Sequence, residues 1–144
     1  MDSKNLDLKR EIILNHYENP KYKIEGNEKF VKKYHIANKD SPSCIDNITI
    51  YANVVNKKIV DLRFSGIGCA VATSSTDIMC GLLIKKNLVD ARKIINNYYN
   101  LVANKKYEQK LIGDLYVFDN IYKQLNRIKC ATVGIEAIAK AIEK

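Results

Sequence analysis

No apolar run in this chain approaches the length of a membrane span, which needs about 20 residues. Met1-Asp2-Ser3-Lys4-Asn5 opens no apolar signal-peptide core, so the expectation is a cytoplasmic protein that works away from the membrane. Proline is scarce: Pro20 and Pro42 are the only two, and neither marks a linker. With no internal repeat and no low-complexity segment, 144 residues read as one globular domain, 1–144. Arginine is scarce as well. Only four of the 24 Lys and Arg residues are Arg, and the lysines are spread along the chain in pairs such as Lys32-Lys33 and Lys105-Lys106. The net charge of +8 therefore reads first as a Lys-rich solvated surface. A nucleic-acid-binding module stapled by zinc is the weaker alternative, because base and phosphate readout favours Arg and no interleaved aromatic and basic stripe is present. Cys-x-x-Cys knuckles, the strong zinc signature, are absent.

Four cysteines remain, Cys44, Cys69, Cys80 and Cys130. In a reducing compartment these are ligands, catalysts or core residues rather than disulfides. Cys44, Cys69 and Cys130 together with Asp46 make a complete tetrahedral donor set for zinc, and thiolates are also the nucleophiles that carry sulfur between proteins. The spacing alone does not bring them together: 25 residues separate Cys44 from Cys69, and 61 separate Cys69 from Cys130. From spacing, a shared metal site and independent buried cysteines both stay open. Cys69 and Cys130 each precede a predicted helix, where free backbone N–H groups favour an anionic ligand. Cys80 lies eleven residues past Cys69, about 16 Å along one helix, so it reads as a core residue. His16, His35, Asp61 and Asp77 read as structural, capping or solvated residues.

The order of elements is strands first, helices after, an α+β arrangement. Leu6 to Tyr17 has helical spacing and stops at Glu18-Asn19-Pro20. A weak strand is expected near Phe30 to Ile36. Ile48, Ile50, Ala52 and Val54 alternate with polar residues as a half-buried strand, Asn56-Lys57 turns the chain, and Val60, Leu62 and Phe64 form the second arm of a hairpin. Helices follow, one after Cys69 with Val71, Ser75, Ile78 and Leu82 on one face, the next through Leu88, Ala91, Ile94, Tyr98 and Leu101. A shorter turn or helix covers Val117 to Leu125, and the last helix, through Ile135, Ile138 and Ile142, begins at about Cys130.

The strings around the cysteines resemble a known family. Pro42-Ser43-Cys44-Ile45-Asp46, Phe64-Ser65-Gly66-Ile67-Gly68-Cys69 and Lys129-Cys130-Ala131, with His16-Tyr17-Glu18-Asn19-Pro20 ahead of them and Leu111-Ile112-Gly113-Asp114-Leu115 before the third cysteine, resemble the iron–sulfur cluster assembly proteins of the IscU/NifU-N group, most closely its SufU branch. Lys129 stands where the IscU branch has His, and the interval between Cys69 and Cys130 is long, as in the SufU branch. Ile45 replaces the family Gly, and Ala72 and Asp77 stand where serines are usual.

The resemblance implies a small antiparallel sheet of about three strands with helices packed on one side. It implies zinc held by Cys44, Asp46, Cys69 and Cys130. It also implies a persulfide sulfurtransferase that accepts sulfur from a pyridoxal-phosphate cysteine desulfurase and serves downstream iron–sulfur assembly or apo-acceptor proteins. Cys44, on a loop, is the candidate acceptor thiolate, and Arg127 the candidate stabiliser of anionic sulfur. The alternative within the family is a non-enzymatic scaffold that binds iron or a transient [2Fe–2S] cluster on the same residues.

Overall fold

The computed structural model describes residues 3–26, 33–41 and 45–143. Helix α1 (Ser3–Glu18) leads into three strands, β1 (His35–Asp40), β2 (Asn47–Val55) and β3 (Lys58–Ile67). Helices α2 (Ala70–Leu83), α3 (Leu88–Val102) and the single turn α4 (Gln109–Ile112) follow, then two 3₁₀ segments, Gly113–Phe118 and Ile121–Lys123, and finally α5 (Leu125–Ile142). The sheet is antiparallel in the order β1-β2-β3. One face, built from Ala37, Ile48, Ile50, Ala52, Leu62 and Phe64, is buried. There α5 lies across β1 and β2, and α2 lies against β3. The other face is polar and satisfies itself through Tyr51 Oη–Ser65 Oγ at 2.9 Å and Tyr34 Oη donating to Asp61 at 2.6 Å. Burial and the Asp61 carboxylate push the Tyr34 hydroxyl up to about 12.

The β2–β3 turn is at Asn56-Lys57, as the sequence predicts, and both residues have positive φ. Val60 departs from its expected place. The register shifts between Asn53 and Val54, so Val54 faces Ile59 while Asn53 faces Asp61. Val60 is the extra residue of this bulge. It points to solvent, 42% exposed, and Ile59 takes its place in the core. The weak early strand also sits later than expected: β1 spans His35–Asp40, and residues 27–32 lie outside the described set. The short turn or helix expected over Val117 to Leu125 is made of the end of one 3₁₀ segment, a turn, and a second 3₁₀ segment, with α5 starting at Leu125.

Helix α2 is not amphipathic in the expected way. Ala72 through Cys80 are all buried, because the helix is sandwiched between α1, α5 and the sheet. Its hydroxyls avoid an unsatisfied burial by bonding back into the helix, as Thr76 Oγ1 does to the Ala72 carbonyl at 2.7 Å and Ser74 Oγ to the Ala70 carbonyl at 2.6 Å. Asp77, read from sequence as solvated or capping, is fully buried. Its carboxylate meets His16 Nδ1 at 2.6 Å and accepts from the Tyr22 amide at 2.8 Å, so it fastens the end of α1 to α2. Where α2 crosses α5, Gly134 allows the closest approach: a Cβ there would overlap Thr76 Oγ1. Tyr98 of α3 donates its hydroxyl to the Ala131 carbonyl at 2.7 Å, which fixes α5 one residue beyond Cys130. The helices that carry the two later cysteines are thus locked together.

Candidate metal centre

The hairpin register builds the first half of the site. Asn47 pairs with Ile67, so Asp46 and the Gly68-Cys69 corner leave the same end of the sheet. Gly66 makes this possible. Its φ is +115°, and a Cβ would collide with the Asn47 carbonyl oxygen, so only glycine lets the strands close here. The Asp46 carboxylate, 1% exposed, then accepts from the Cys69 amide through Oδ1 at 2.8 Å, with Oδ2 3.8 Å from Cys69 Sγ. Cys69 is the N-cap of α2, its sulfur accepting from the Ala72 amide at 3.5 Å, as the sequence predicts.

Cys130 arrives by packing rather than by capping. The expectation that α5 begins near Cys130 is corrected: α5 starts at Leu125 and Cys130 lies in its second turn, 3% exposed, its sulfur 3.8 Å from the Asn126 carbonyl. The α2–α5 contact brings it to the other two. One donor atom each from Asp46, Cys69 and Cys130 lie within 4.8 Å of one another. Two soft sulfurs and a carboxylate oxygen at this separation can hold a zinc-sized ion. Cys69 is the partly exposed member, so the centre opens towards solvent on the α2 side.

Cys44, with Pro42 and Ser43, lies outside the described residues. The next residue in the chain, Ile45, is 76% exposed. Arg127 is exposed near the start of α5 and lines a groove together with Ala70 and Val71, the residues that follow Cys69. Lys129 is also exposed and borders a smaller polar cleft with Ser41 and Thr132.

Cys80 is fully buried on the continuous helix α2, and it is not among the clustered donors. Burial, with Asp77 adding to it, pushes its thiol well above the ordinary range. We expect Cys80→Ala to retain the metal in full and to lose about 1–2 kcal/mol of stability, the transfer and cavity cost of one small buried group. Metal content by elemental analysis beside thermal melting checks this, and loss of metal from a folded variant would contradict it.

The similarities to known proteins agree with this geometry. The sequence model described as "NifU-like N terminal domain" matches residues 8–144. The zinc-dependent sulfurtransferase SufU of Bacillus subtilis (strain 168) is 28% identical over 142 residues, covering 97% of this chain and 93% of that protein. The iron–sulfur cluster assembly scaffold protein IscU of Streptococcus pyogenes serotype M1 is 28% identical over 106 residues, 73% of this chain and 67% of its own length. Among solved structures, the SUF-system protein FiSufU of thermophilic Fervidobacterium islandicum AW-1 superposes with a TM-score of 0.80 at 26% identity, over 92% of this chain and 94% of that one.

Proposed function

Since the chain belongs to the NifU-like N-terminal domain family, we propose that it works in iron–sulfur cluster assembly as a zinc-dependent acceptor of sulfur from a pyridoxal-phosphate cysteine desulfurase. The observation that carries this reading is the convergence of Asp46, Cys69 and Cys130 donor atoms within 4.8 Å; Cys44, two residues before Asp46 in the sequence, is the proposed fourth ligand. The relative that covers nearly the whole chain carries the name of a zinc-dependent sulfurtransferase. A bound zinc ion supplies one thing, a charge that keeps these thiols deprotonated and shielded at neutral pH.

The residues then divide the work. Asp46 is oriented by the Cys69 amide, and Cys69 and Cys130 are anchored on two helices held in close contact. Cys44 is the proposed acceptor because, read from the sequence, it is the one of the three site cysteines not anchored at a helix. Its thiolate attacks the terminal sulfur of the desulfurase cysteine persulfide, R–S–SH. The donor S–S bond breaks, the donor cysteine leaves as a thiolate, and the proton stays on the transferred sulfur, now part of a Cys44 persulfide. No net oxidation occurs. Arg127, in the same groove wall as the residues after Cys69, lends positive charge to the anionic sulfur.

A desulfurase stalls while it carries its own persulfide, so removal of that sulfur sets its turnover. Adding the protein to its desulfurase with free cysteine is expected to raise alanine production severalfold and saturably. Cys44→Ala is expected to abolish the increase, and Asp46→Ala to reduce it. Equal stimulation by wild type and Cys44→Ala would remove Cys44 from this role.

A scaffold role has its own support in the similarity to IscU proteins. There the cluster is cargo assembled on the same donors. Lys129 precedes Cys130 where the resemblance to that branch calls for His, so the transferase reading is the stronger one. Reconstitution with iron and sulfide separates them: the scaffold gives a stable coloured cluster that passes to an apo-acceptor, and the transferase a colourless protein with zinc.

A further inference from the structure

Beside the metal centre runs a groove of about 410 Å³ between α1, the first turn of α2 and the 3₁₀ segments before α5. Its floor is apolar, formed by Ile13, Val71, Phe118 and Ile121. Its one acid among the described residues, Asp119, is already taken: the Lys9 ammonium, itself 6% exposed, meets Asp119 Oδ1 at 2.8 Å. The groove charges left for a visitor are the exposed guanidinium groups of Arg10 and Arg127 at its rim. Leu6, 39% exposed, overhangs the same rim. Ala70 and Val71 carry the wall directly to Cys69.

We propose that this groove docks an acidic, amphipathic segment of the sulfur-donating desulfurase, with apolar side chains on the floor and carboxylates at Arg10 and Arg127. Two observations fit that occupant. The groove pairs an apolar floor with an excess of positive charge, and the whole chain carries +8, which steers an acidic partner to it. The groove wall also includes Ala70 and Val71, which follow the metal-site Cys69 in the chain, so a segment seated in it lies beside the proposed metal centre. The proposal rests on the sulfur-acceptor reading above and adds where the donor is gripped.

The test titrates the desulfurase encoded in the same genome with wild type, Arg10→Glu, Leu6→Asp and a remote control, Lys140→Glu, while following alanine production. Arg10 and Leu6 touch no proposed ligand. Both groove variants are expected to raise the half-saturating concentration at least about tenfold, the effect of losing one well-placed contact. The saturated rate, zinc content and melting temperature are expected to stay at wild-type values. Lys140→Glu is expected to change the half-saturating concentration less than about twofold, and added salt to narrow the gap between wild type and Arg10→Glu. Stimulation by wild type with unshifted curves for both groove variants would overturn the groove alone. Absence of stimulation by wild type would overturn it together with the acceptor reading. A wild-type dimer that Leu6→Asp dissociates in sedimentation would give the groove to a second copy and overturn the desulfurase assignment.

Discussion

Cys69→Ser and Cys130→Ser are each expected to yield protein without bound zinc and with a clearly lowered melting temperature. One sulfur caps α2 and the other comes from the second turn of α5, and both are needed for the cluster of donors within 4.8 Å. Replacing a thiolate by a hydroxyl removes a strong soft ligand. A metal that binds only the folded chain stabilises it by an amount that grows with the logarithm of free metal over its dissociation constant, about 4 kcal/mol when free metal is a thousandfold above that constant. Chelation of wild type is expected to bring its melting temperature down to that of the variants, since one ion accounts for the difference. Elemental analysis and thermal melting of the three proteins, with and without chelator, check this. Unchanged melting in both variants would mean that the donors do not staple the fold.

Gly134→Ala is expected to disturb the metal centre from a distance. A methyl group at Gly134 overlaps Thr76 Oγ1 and crowds its Cβ and Cγ2. Thr76 is fully buried, and α2 and α5 must separate to make room. Helix propensity alone favours alanine over glycine by about 1 kcal/mol, so a surface site would gain stability. Here overpacking at the upper end of its usual range, about 3 kcal/mol, outweighs it, and we expect a net loss of about 2 kcal/mol. Since α2 begins at Cys69 and α5 carries Cys130, the same wedge shifts one sulfur against the other and weakens zinc binding. Thr76→Ala in the same chain removes Oγ1 and Cγ2 and is expected to restore part of both losses, a coupling that a double-mutant cycle measures. Additive effects in that cycle would show that the two residues do not meet.

The hairpin is the part of the fold most legible in sequence. Ile48, Ile50 and Ala52 alternate cleanly with polar residues, and Asn56-Lys57 accepts the positive φ values that the turn requires. Val60 was not legible, because a bulge changes the facing of a residue without changing composition. β1, His35–Asp40, holds only Ile36 and Ala37 as apolar residues, too few to give a period. The early start of α5 was hidden for a related reason: Gln124 provides no side-chain cap, so no Ser, Thr, Asp or Asn signal marks the boundary. Asp77 read as a surface acid because its partner, His16, lies 61 residues away.

The candidate site was legible as a set of residue types and not as a place. Cys69 declares its position through Gly66 and Gly68 and the helix that follows. Cys130 does not, since it reaches the site through the α2–α5 contact at Gly134, which depends on two helices far apart in sequence. Asp46 gains its role from the strand register that sets Asn47 against Ile67. The groove beneath α1 was invisible for the same reason, because its walls come from four separate stretches of chain.

In the proposed function, sulfur moves from a desulfurase onto this chain at Cys44. The most direct measurement incubates wild type and the single variants Cys44→Ala and Cys80→Ala with the desulfurase and free cysteine, alkylates them rapidly, and maps added sulfur by mass spectrometry of intact protein and peptides. We predict one additional sulfur on Cys44 in wild type and in Cys80→Ala, and none on any cysteine of Cys44→Ala. Persulfide in Cys44→Ala at the wild-type level, or a wild type that gains no sulfur while holding a transferable iron–sulfur cluster, would contradict the account.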